Sequence, residues 1–290
     1  MKLFESIQTL SSEYSISFIF KTLHINPSSY YYWLVNHQAA DSRRLFIIQN
    51  ILLAYSHSSG IYGAPKITAI LMRKNIHISV ATTSRFMRLL GIKSIVSKKF
   101  RHHKSTISSK EKSLIVNLVK DLDVTRINQV WSTDITYIHT IHEGSFYLVS
   151  YIDYYSKKVV AWGLFDNQKT DVILETLFLA VKKRNPPPGL ITHSDKGPQL
   201  RSKSYRKFHR KHNFAVSYTS LNHACDENAA QESFHASLKK EAVYLHKLYT
   251  KEDAYRVIFD FIEGRYNPTR LHSSIGYLSP DEFEKSIMLT

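Results

Sequence analysis

The stretch from Val130 to Ile138, Val-Trp-Ser-Thr-Asp-Ile-Thr-Tyr-Ile, decides the fold of this chain. Residues that are β-branched or aromatic dominate it, which is typical of a partly buried β-strand. One acid, Asp134, interrupts the apolar run. A charge inside a sheet is costly unless something compensates it, so Asp134 is a candidate metal ligand.

The residues that follow continue this pattern in a recognisable order. Further strands are predicted at 146–152, 158–165, 190–192 and 214–218. Helices are predicted at 170–184, 205–212 and from 228 to about 249. Three antiparallel strands followed by alternating helices and strands are the order of the RNase H fold. The sequence therefore predicts an α/β catalytic region, a mixed five-stranded sheet flanked by helices.

Two more acids occupy informative places in this order. Asp195 follows the strand at 190–192, where the end of a strand at a sheet edge favours ligand binding. Glu232 lies in the first turn of the long helix. Each acid alone also fits an ordinary strand-edge, turn or helix-dipole role. Together the three predict a site for two Mg²⁺ ions about 4 Å apart, which activate phosphodiester attack; Mn²⁺ is a possible substitute.

Three other polar residues accompany the acids. Lys239 is seven residues after Glu232, so it lies on the same helix face and is a candidate phosphate ligand. An ordinary surface lysine is equally consistent with that spacing. His193 and His235 are candidate supporting groups, although histidines in such places are often satisfied locally.

The N-terminal block, about 1–97, is predicted to consist of short helices joined by tight turns. One starts at the cap Asn26 with Pro27 at its first position, and another follows Tyr62-Gly63-Ala64-Pro65. A third starts at the cap Ser79 and stops at Gly91. The buried stripe of this third helix is predicted to contain Val80, Thr83, Met87 and Leu90.

Opposite that stripe lie Arg85 and Arg88, which a helix-turn-helix would present to DNA. An ordinary solvated arginine face explains the spacing as well. The block is therefore interpreted as an all-α helix-turn-helix region, with DNA binding as the functional reading.

The net charge and its distribution along the chain favour an anionic binding partner. The net charge is +15, and the stretch 42–110 has thirteen Lys and Arg but no acid, whereas 129–290 has 21 basic and 18 acidic residues. Such a stretch favours binding to a polyphosphate backbone, although a basic surface without a specific partner is the alternative. Lys98, Lys99 and Arg101 are candidate DNA contacts in a basic linker, while His102-His103 lacks the cysteines of a zinc finger.

Length and composition limit the remaining possibilities. A chain of 290 residues is long enough for about two domains. The lone Cys225 excludes an internal disulfide and a cysteine-rich zinc site, and no apolar run approaches a membrane span, so a cytoplasmic protein is expected. The predicted divisions are a helical region 1–97, a basic linker 98–128, a catalytic core 129–249 and a C-terminal helical extension 250–290.

Four ordered motifs resemble the catalytic region of the insertion-sequence-three family of bacterial transposases. They are Trp131-Ser-Thr-Asp-Ile-Thr-Tyr, His193-Ser-Asp-Lys-Gly, Asn228-Ala-Ala-Gln-Glu-Ser-Phe with Leu238-Lys239, and Tyr266-Asn-Pro-Thr-Arg-Leu-His-Ser-Ser-Ile-Gly-Tyr-Leu-Ser-Pro. The resemblance extends from about Gly60 to the C-terminus, because Tyr62-Gly63 and Lys66-Ile67 are similar to the helix-turn-helix of that family.

The resemblance implies a specific activity and set of partners. Asp134, Asp195 and Glu232 would be the DDE triad of a retroviral-integrase-like core that cleaves transposon 3′ ends and joins them to target DNA. The chain would be the second-reading-frame (OrfB-type) product, with an upstream-frame partner or fusion, acting as a homo-oligomer on DNA in the bacterial cytoplasm and nucleoid. Lys66 and Arg270 match family motifs and are candidate DNA contacts, with a solvated loop as the alternative for Arg270 and His272.

Two features depart from the family pattern. The second and third acids, Asp195 and Glu232, are separated by 36 residues, one more than is usual in the family. The extra residue arises because this chain has Asp226-Glu227-Asn228 where the family has Asp-Asn. Leu200 also replaces an aromatic residue. A catalytically silent DNA-binding regulator is therefore the alternative function. A nuclease acting on RNA–DNA hybrids is disfavoured, because it needs no basic site-reading block.

Overall fold

A computed structural model describes residues 2–97, 117–219 and 228–289, and every structural statement below refers to these ranges. The chain divides after Ser97 into two compact units. Lys98, Lys99 and Arg101, together with the extra residue Glu227, lie outside the described residues.

The first unit is entirely helical. Its helices are α1 (Lys2–Leu10), α2 (Ile16–Thr22), α3 (Pro27–His57), α4 (Ala64–Arg73) and α5 (Val80–Leu89), followed by a 3₁₀ turn at Ile95–Ser97. Asn26 caps α3 by accepting a hydrogen bond from Ser28 N, as predicted. The prediction of short helices only is wrong for α3, which has 31 residues. No glycine or proline interrupts residues 28–57, so nothing in the backbone stops the helix.

The second half of α3 packs with α4 and α5 around a small core. Ile51, Ile67, Leu71 and Met87 are buried in it. Val80 was expected in this core but is 45% exposed, and Phe86 takes the buried position instead. Helices α4 and α5 form the predicted helix-turn-helix region.

The second unit contains one mixed sheet. Its strands are β1 (Val130–Thr140), β2 (Gly144–Asp153), β3 (Val159–Phe165), β4 (Ile191–Ser194) and β5 (Ala215–Tyr218). Their order across the sheet is β3-β2-β1-β4-β5. The first three strands are antiparallel, while β4 pairs parallel with both β1 and β5. The predicted five-stranded mixed sheet is confirmed, with β1 at its centre.

Helices cover both faces of this sheet. They are α6 (Thr170–Arg184), α7 (Lys203–Lys211), α8 (Ala229–Glu241), α9 (Lys251–Phe261) and α10 (Pro280–Met288). Helices α6 and α7 pack on one face through Leu177 and Tyr205, and α8 and α9 pack on the other through Phe234 and Ile258. None of the helices within the described ranges is long and apolar enough to cross a membrane.

Helix α8 is shorter than predicted. It ends at Glu241 rather than near residue 249, because Ala242 leaves the helical conformation with φ −136° and ψ −69°. Beyond this point Val243 and Leu248 turn into the core under the sheet. Burial of these two side chains requires a bend that a continuing helix would not allow.

The C-terminal helix is fixed to the rest of the second unit. Ser279 and Glu282 form a capping box at the start of α10. Glu284 is 4% exposed and accepts two hydrogen bonds of 2.7 Å from Arg184 and one of 2.7 Å from Ser156. Residues of α6, of the turn after β2 and of α10 therefore meet in one buried ion pair.

Candidate active site

The sheet register brings two of the three predicted acids to neighbouring positions. Strands β1 and β4 run parallel and are paired as far as Ser132 and His193. Asp134 and Asp195 each lie two residues further along their own segments. Since neighbouring strands are about 4.8 Å apart, this register places Asp195, just past the end of β4, beside Asp134 within β1.

Helix α8 brings the third acid to the same place. Gln231 is fully buried, and its side-chain Nε2 donates hydrogen bonds to the carbonyl oxygens of Ser132 (2.8 Å) and Ser150 (3.1 Å). Its Oε1 accepts from Ser150 Oγ at 2.9 Å. Ser150 is the cross-strand partner of Asp134. Gln231 therefore fixes the first turn of α8, and with it Glu232, against the strand pair that carries Asp134.

The charges of these acids act on one another. The pKa of Asp134 is raised to about 7, first by burial and then by the negative charges of Asp195 and Glu232. The backbone N–H of Ile135 and the ammonium of Lys239 act in the opposite direction. The predicted triad and Lys239 are thus electrostatically coupled at one site.

Accessibility differs among the three carboxylates. Asp195 and Glu232 are exposed, whereas the Asp134 side chain is 29% exposed. Asp195 lies in a tight turn, where its Oδ1 accepts a hydrogen bond from Gly197 N at 3.1 Å. The site therefore combines one recessed acid with two acids that solvent or a substrate can reach.

The recessed acid has a neutral neighbour. His235 Nδ1 lies 3.6 Å from Asp134 Oδ2. Burial, and then the charge of Lys239, lower the pKa of His235 to about 3. His235 is therefore uncharged at neutral pH, and it does not neutralise Asp134.

The acids do not form a ready metal cluster. In the parts of the chain that the structure describes, no three His, Cys, Asp or Glu side chains are arranged to hold a metal ion. The site for two metal ions at Asp134, Asp195 and Glu232 stays a prediction.

Strand β4 is also fixed by contacts with α7, on the face of the sheet opposite to α8. Thr192 Oγ1 lies 2.8 Å from His209 Nε2, and His209 Nδ1 lies 2.8 Å from the carbonyl oxygen of Tyr205. His193, a candidate supporting group, is fully buried, with Nδ1 2.9 Å from Ser217 Oγ. These contacts position the strand that precedes Asp195, so His193 supports β4 rather than facing a substrate.

The predicted DNA contacts fall in different environments. Arg85 and Arg88 are exposed on α5, as the helical spacing predicted, and Lys66 Nζ lies 4.6 Å from the Tyr62 ring centre. Lys239 is partly buried, and burial lowers its pKa while Asp134 raises it.

Arg270 has a different setting from the solvated loop considered above. Its guanidinium donates to both carboxylate oxygens of Glu241, at 2.9 and 2.7 Å, and to Ser237 Oγ at 2.8 Å. The Arg270 and Glu241 side chains are only 11% and 5% exposed. This arginine is engaged inside the protein in the present structure.

Gln231 is the important residue that sequence reasoning missed. It lies within the quoted motif Asn228-Ala-Ala-Gln-Glu-Ser-Phe, but neither charge nor metal chemistry drew attention to it. The available signal was its spacing from Phe234 and Leu238, which places a polar residue in a helix stripe that should be apolar.

An RNase H-like sheet with acids on its first strand, after its fourth strand and on the helix that follows its fifth strand defines the class of integrase-type polynucleotidyl transferases. The sequence matches the integrase core domain over residues 124–224 and a second integrase core domain family over 216–280. Residues 41–100 match an HTH-like domain, in agreement with the predicted helix-turn-helix.

Full-length relatives define the family. The chain is 31% identical over 284 residues to transposase InsF of insertion sequence IS3A from Escherichia coli K12, covering 96% of each chain. It is 32% identical over 243 residues to the transposase of element IS904 from Lactococcus lactis, covering 83% of this chain and 94% of that one. The chain belongs to the insertion-sequence-three family of transposases, as its motifs predicted.

A solved structure is also similar in part. The HTLV-2 integrase catalytic core domain, determined in complex with magnesium, is 14% identical, with a TM-score of 0.41. The match covers 54% of this chain and 95% of that domain.

Proposed function

We propose that this transposase cleaves the 3′ ends of an insertion sequence and joins them to target DNA through Asp134, Asp195 and Glu232. The observation that carries the proposal is the shared electrostatic environment of three acids from distant segments. The carboxylates of Asp195 and Glu232 help to raise the pKa of Asp134 to about 7. A site that concentrates negative charge in this way is suited to binding cations.

The donor set fits divalent metal ions. All three groups are carboxylates, the hard oxygen ligands that Mg²⁺ prefers, and Mn²⁺ accepts the same ligands. When bound, two such ions supply an activated attacking oxygen and stabilise the leaving oxygen. Burial and the charges of Asp195 and Glu232 raise the pKa of Asp134, and a bound cation would favour its ionised form.

Other side chains would hold DNA. Lys239, two helical turns after Glu232, is assigned to a phosphate of the strand at the active site. Arg85 and Arg88 on α5, together with Lys66, are assigned to the terminal sequence of the element, since both arginines are exposed. Lys98, Lys99 and Arg101 are assigned to phosphates of the DNA backbone between the terminal sequence and the strand at the active site. The family motif also suggests a DNA contact for Arg270, although its guanidinium is paired with Glu241.

The family membership suggests the assembly as well. We assign to the chain a homo-oligomeric complex on DNA and an upstream-frame protein, separate or fused, that shares recognition of the element ends. Such a complex would act on DNA of the nucleoid.

The direct test uses purified full-length protein, a duplex ending in the terminal repeat of the element, and Mg²⁺. Wild-type protein is expected to release the 3′ end and to join it to a second duplex. Asp195→Asn should abolish both products while DNA binding persists, and the exposed control Asp171→Asn should change neither. Equal activity of Asp195→Asn and wild type would overturn the assignment of the triad.

Binding without cleavage by the wild type would instead favour the silent regulator. Deleting Glu227 restores the usual spacing between the second and third acids. Recovery of joining after this deletion would identify the extra residue as the cause.

A further inference from the structure

Helix α8 presents an unusual stripe to the sheet. Gln231, Phe234 and Leu238 are fully buried, and Glu241 is 5% exposed. Their spacing of three, four and three residues marks the face that a helix normally fills with apolar side chains. Here the middle of the stripe is apolar, but both ends are polar.

The polar residue at the first end is fixed to the sheet. The Gln231 amide uses both of its N–H groups and its oxygen in hydrogen bonds to Ser132 and Ser150. These residues lie 99 and 81 positions away in sequence and belong to β1 and β2. The next residue is Glu232.

The polar residue at the second end is fixed to the segment after the π-helical turn at Ile262–Tyr266. Glu241 accepts two hydrogen bonds from Arg270, which also donates to Ser237 in the preceding turn. The Tyr266 ring packs against Phe234 at 5.1 Å between centroids. Lys239 lies between the Arg270 partners Ser237 and Glu241.

Directional contacts at both ends have a consequence that apolar packing lacks. Burial of apolar surface is non-directional, so Phe234 and Leu238 alone would tolerate small rotations and translations of the helix. Hydrogen bonds depend steeply on distance and angle, and buried groups that lose them are penalised. Two anchors therefore fix both the rotation and the axial position of α8.

We propose that Gln231 and the Arg270–Glu241 pair are positioning residues that hold Glu232 and Lys239 in register with Asp134. Arg270 then acts through the protein and not by binding DNA. The inference rests on the proposed function, since it concerns the geometry of that active site. It explains why a motif far along the chain, Tyr266 to Arg270, accompanies the three acids.

The first anchor is tested with Gln231→Met, which has a similar length and no hydrogen-bonding amide. Single-turnover joining should fall on the order of 10- to 100-fold, because misplacement by about 1 Å can cost 10²-fold in rate. The dissociation constant for DNA should stay within about twofold. Hydrogen exchange should become faster in the first turn of α8.

The matched control is Leu177→Ala, a buried position on α6 in the core on the other face of the sheet. This variant lowers thermal stability without touching α8. Joining by Leu177→Ala, measured well below its melting temperature, should stay close to that of the wild type. Equal losses of joining in the two variants would show that Gln231 matters only for stability, and the proposal would fail.

The second anchor is tested with Arg270→Met, Glu241→Met and the double variant. Each single variant removes the opposite charge from a buried ion pair, and removing both charges relieves that penalty. A positioning role predicts that joining falls at least tenfold in the single variants and recovers several-fold in the double variant. DNA affinity and its salt dependence should stay unchanged throughout. A DNA contact by Arg270 predicts instead weaker binding in Arg270→Met that the second substitution does not restore.

The two proposals fail in different ways. A wild-type protein that never joins DNA would refute the proposed function but leave the exchange measurements interpretable. An active wild type whose joining and α8 exchange are unaffected by Gln231→Met would refute only the positioning role.

Discussion

Arginine is used in opposite ways in the two units. Arg85 and Arg88 lie exposed on α5, and within the described ranges neither belongs to an ion pair. Arg184 and Arg270 lie in the second unit, with side chains 12% and 11% exposed, each held by a buried glutamate.

The difference shows where each unit can interact with a polyanion. An exposed arginine gains little from neighbouring charges in water and remains available to phosphates. A buried arginine must be paired, because an isolated charge in the interior is costly. The exposed arginines of the first unit are therefore suited to binding, and the buried arginines of the second unit to structure.

The largest effect that would test this division is expected at Glu232. Glu232→Gln keeps the shape of the side chain and removes its charge, so divalent-ion binding should be lost. Joining should fall by at least about 10³-fold, equivalent to roughly 4 kcal/mol at the transition state. Gel-based assays of cleavage and joining with a terminal-repeat duplex measure this loss.

Glu175→Gln is the control, because Glu175 is exposed on α6. It should leave joining unchanged. A fall in DNA affinity as large as the fall in rate for Glu232→Gln would show that the acid serves binding, and the division between units would not hold.

The buried arginines should matter next, through stability. Arg184→Met leaves Glu284 without its two 2.7 Å hydrogen bonds from the guanidinium. The free energy of unfolding should fall by about 3 kcal/mol, as is usual when one partner of a buried ion pair is removed. Urea denaturation measures it, and Lys183→Met, an exposed neighbour, should change stability by less than about 0.5 kcal/mol.

The same ion pair should give a smaller, pH-dependent effect. Burial alone would raise the pKa of Glu284, but the hydrogen bonds and charge of Arg184 outweigh burial and lower it. A carboxylate with a lowered pKa in the folded state stabilises the protein above its ordinary value of 4.5, and this stabilisation is lost as the pH falls below that value.

In Arg184→Met the guanidinium no longer offsets the burial of Glu284, so the stability difference between wild type and this variant should be largest near pH 7. It should shrink as the solution is acidified toward and below pH 4.5. Taking the difference removes the effect of His209, whose pKa is lowered to about 4 by burial in both proteins. A difference that grows as the solution is acidified would contradict the assigned ion pair.

Much of the second unit was predictable because its patterns are local. The helix at 170–184 was predicted with its observed bounds, and β1 within two residues, because apolar spacing and turn residues mark these elements. Asp134 stood out because a charge within a β-branched run conflicts with its surroundings. The three acids were predicted from their order along the chain, and their role as metal ligands stays a prediction.

What could not be predicted depends on contacts between distant residues. The partners of Gln231 are 81 and 99 residues away, and that of Arg270 is 29 residues away, so no window of sequence contains these pairs. Val80 has the spacing of a buried residue, yet tertiary packing selected Phe86.

The smallest effect is expected for the exposed arginines of the first unit. Arg85→Ala and Arg88→Ala should each weaken binding of the terminal repeat by about 1 kcal/mol, with the rate of joining unchanged once DNA is saturating. Because each cation releases about one counterion, the slope of log affinity against log salt should fall by roughly one per substitution. Fluorescence anisotropy at several salt concentrations measures both quantities.

The comparison of terminal-repeat and unrelated DNA then separates two roles for these arginines. An arginine that contacts bases loses more affinity for the repeat than for unrelated DNA, whereas one that contacts phosphates loses affinity equally for both. Arg184→Met, studied where it remains folded, should shift neither the slope nor the preference. An equal change of slope in Arg88→Ala and Arg184→Met would mean that burial does not distinguish the two kinds of arginine.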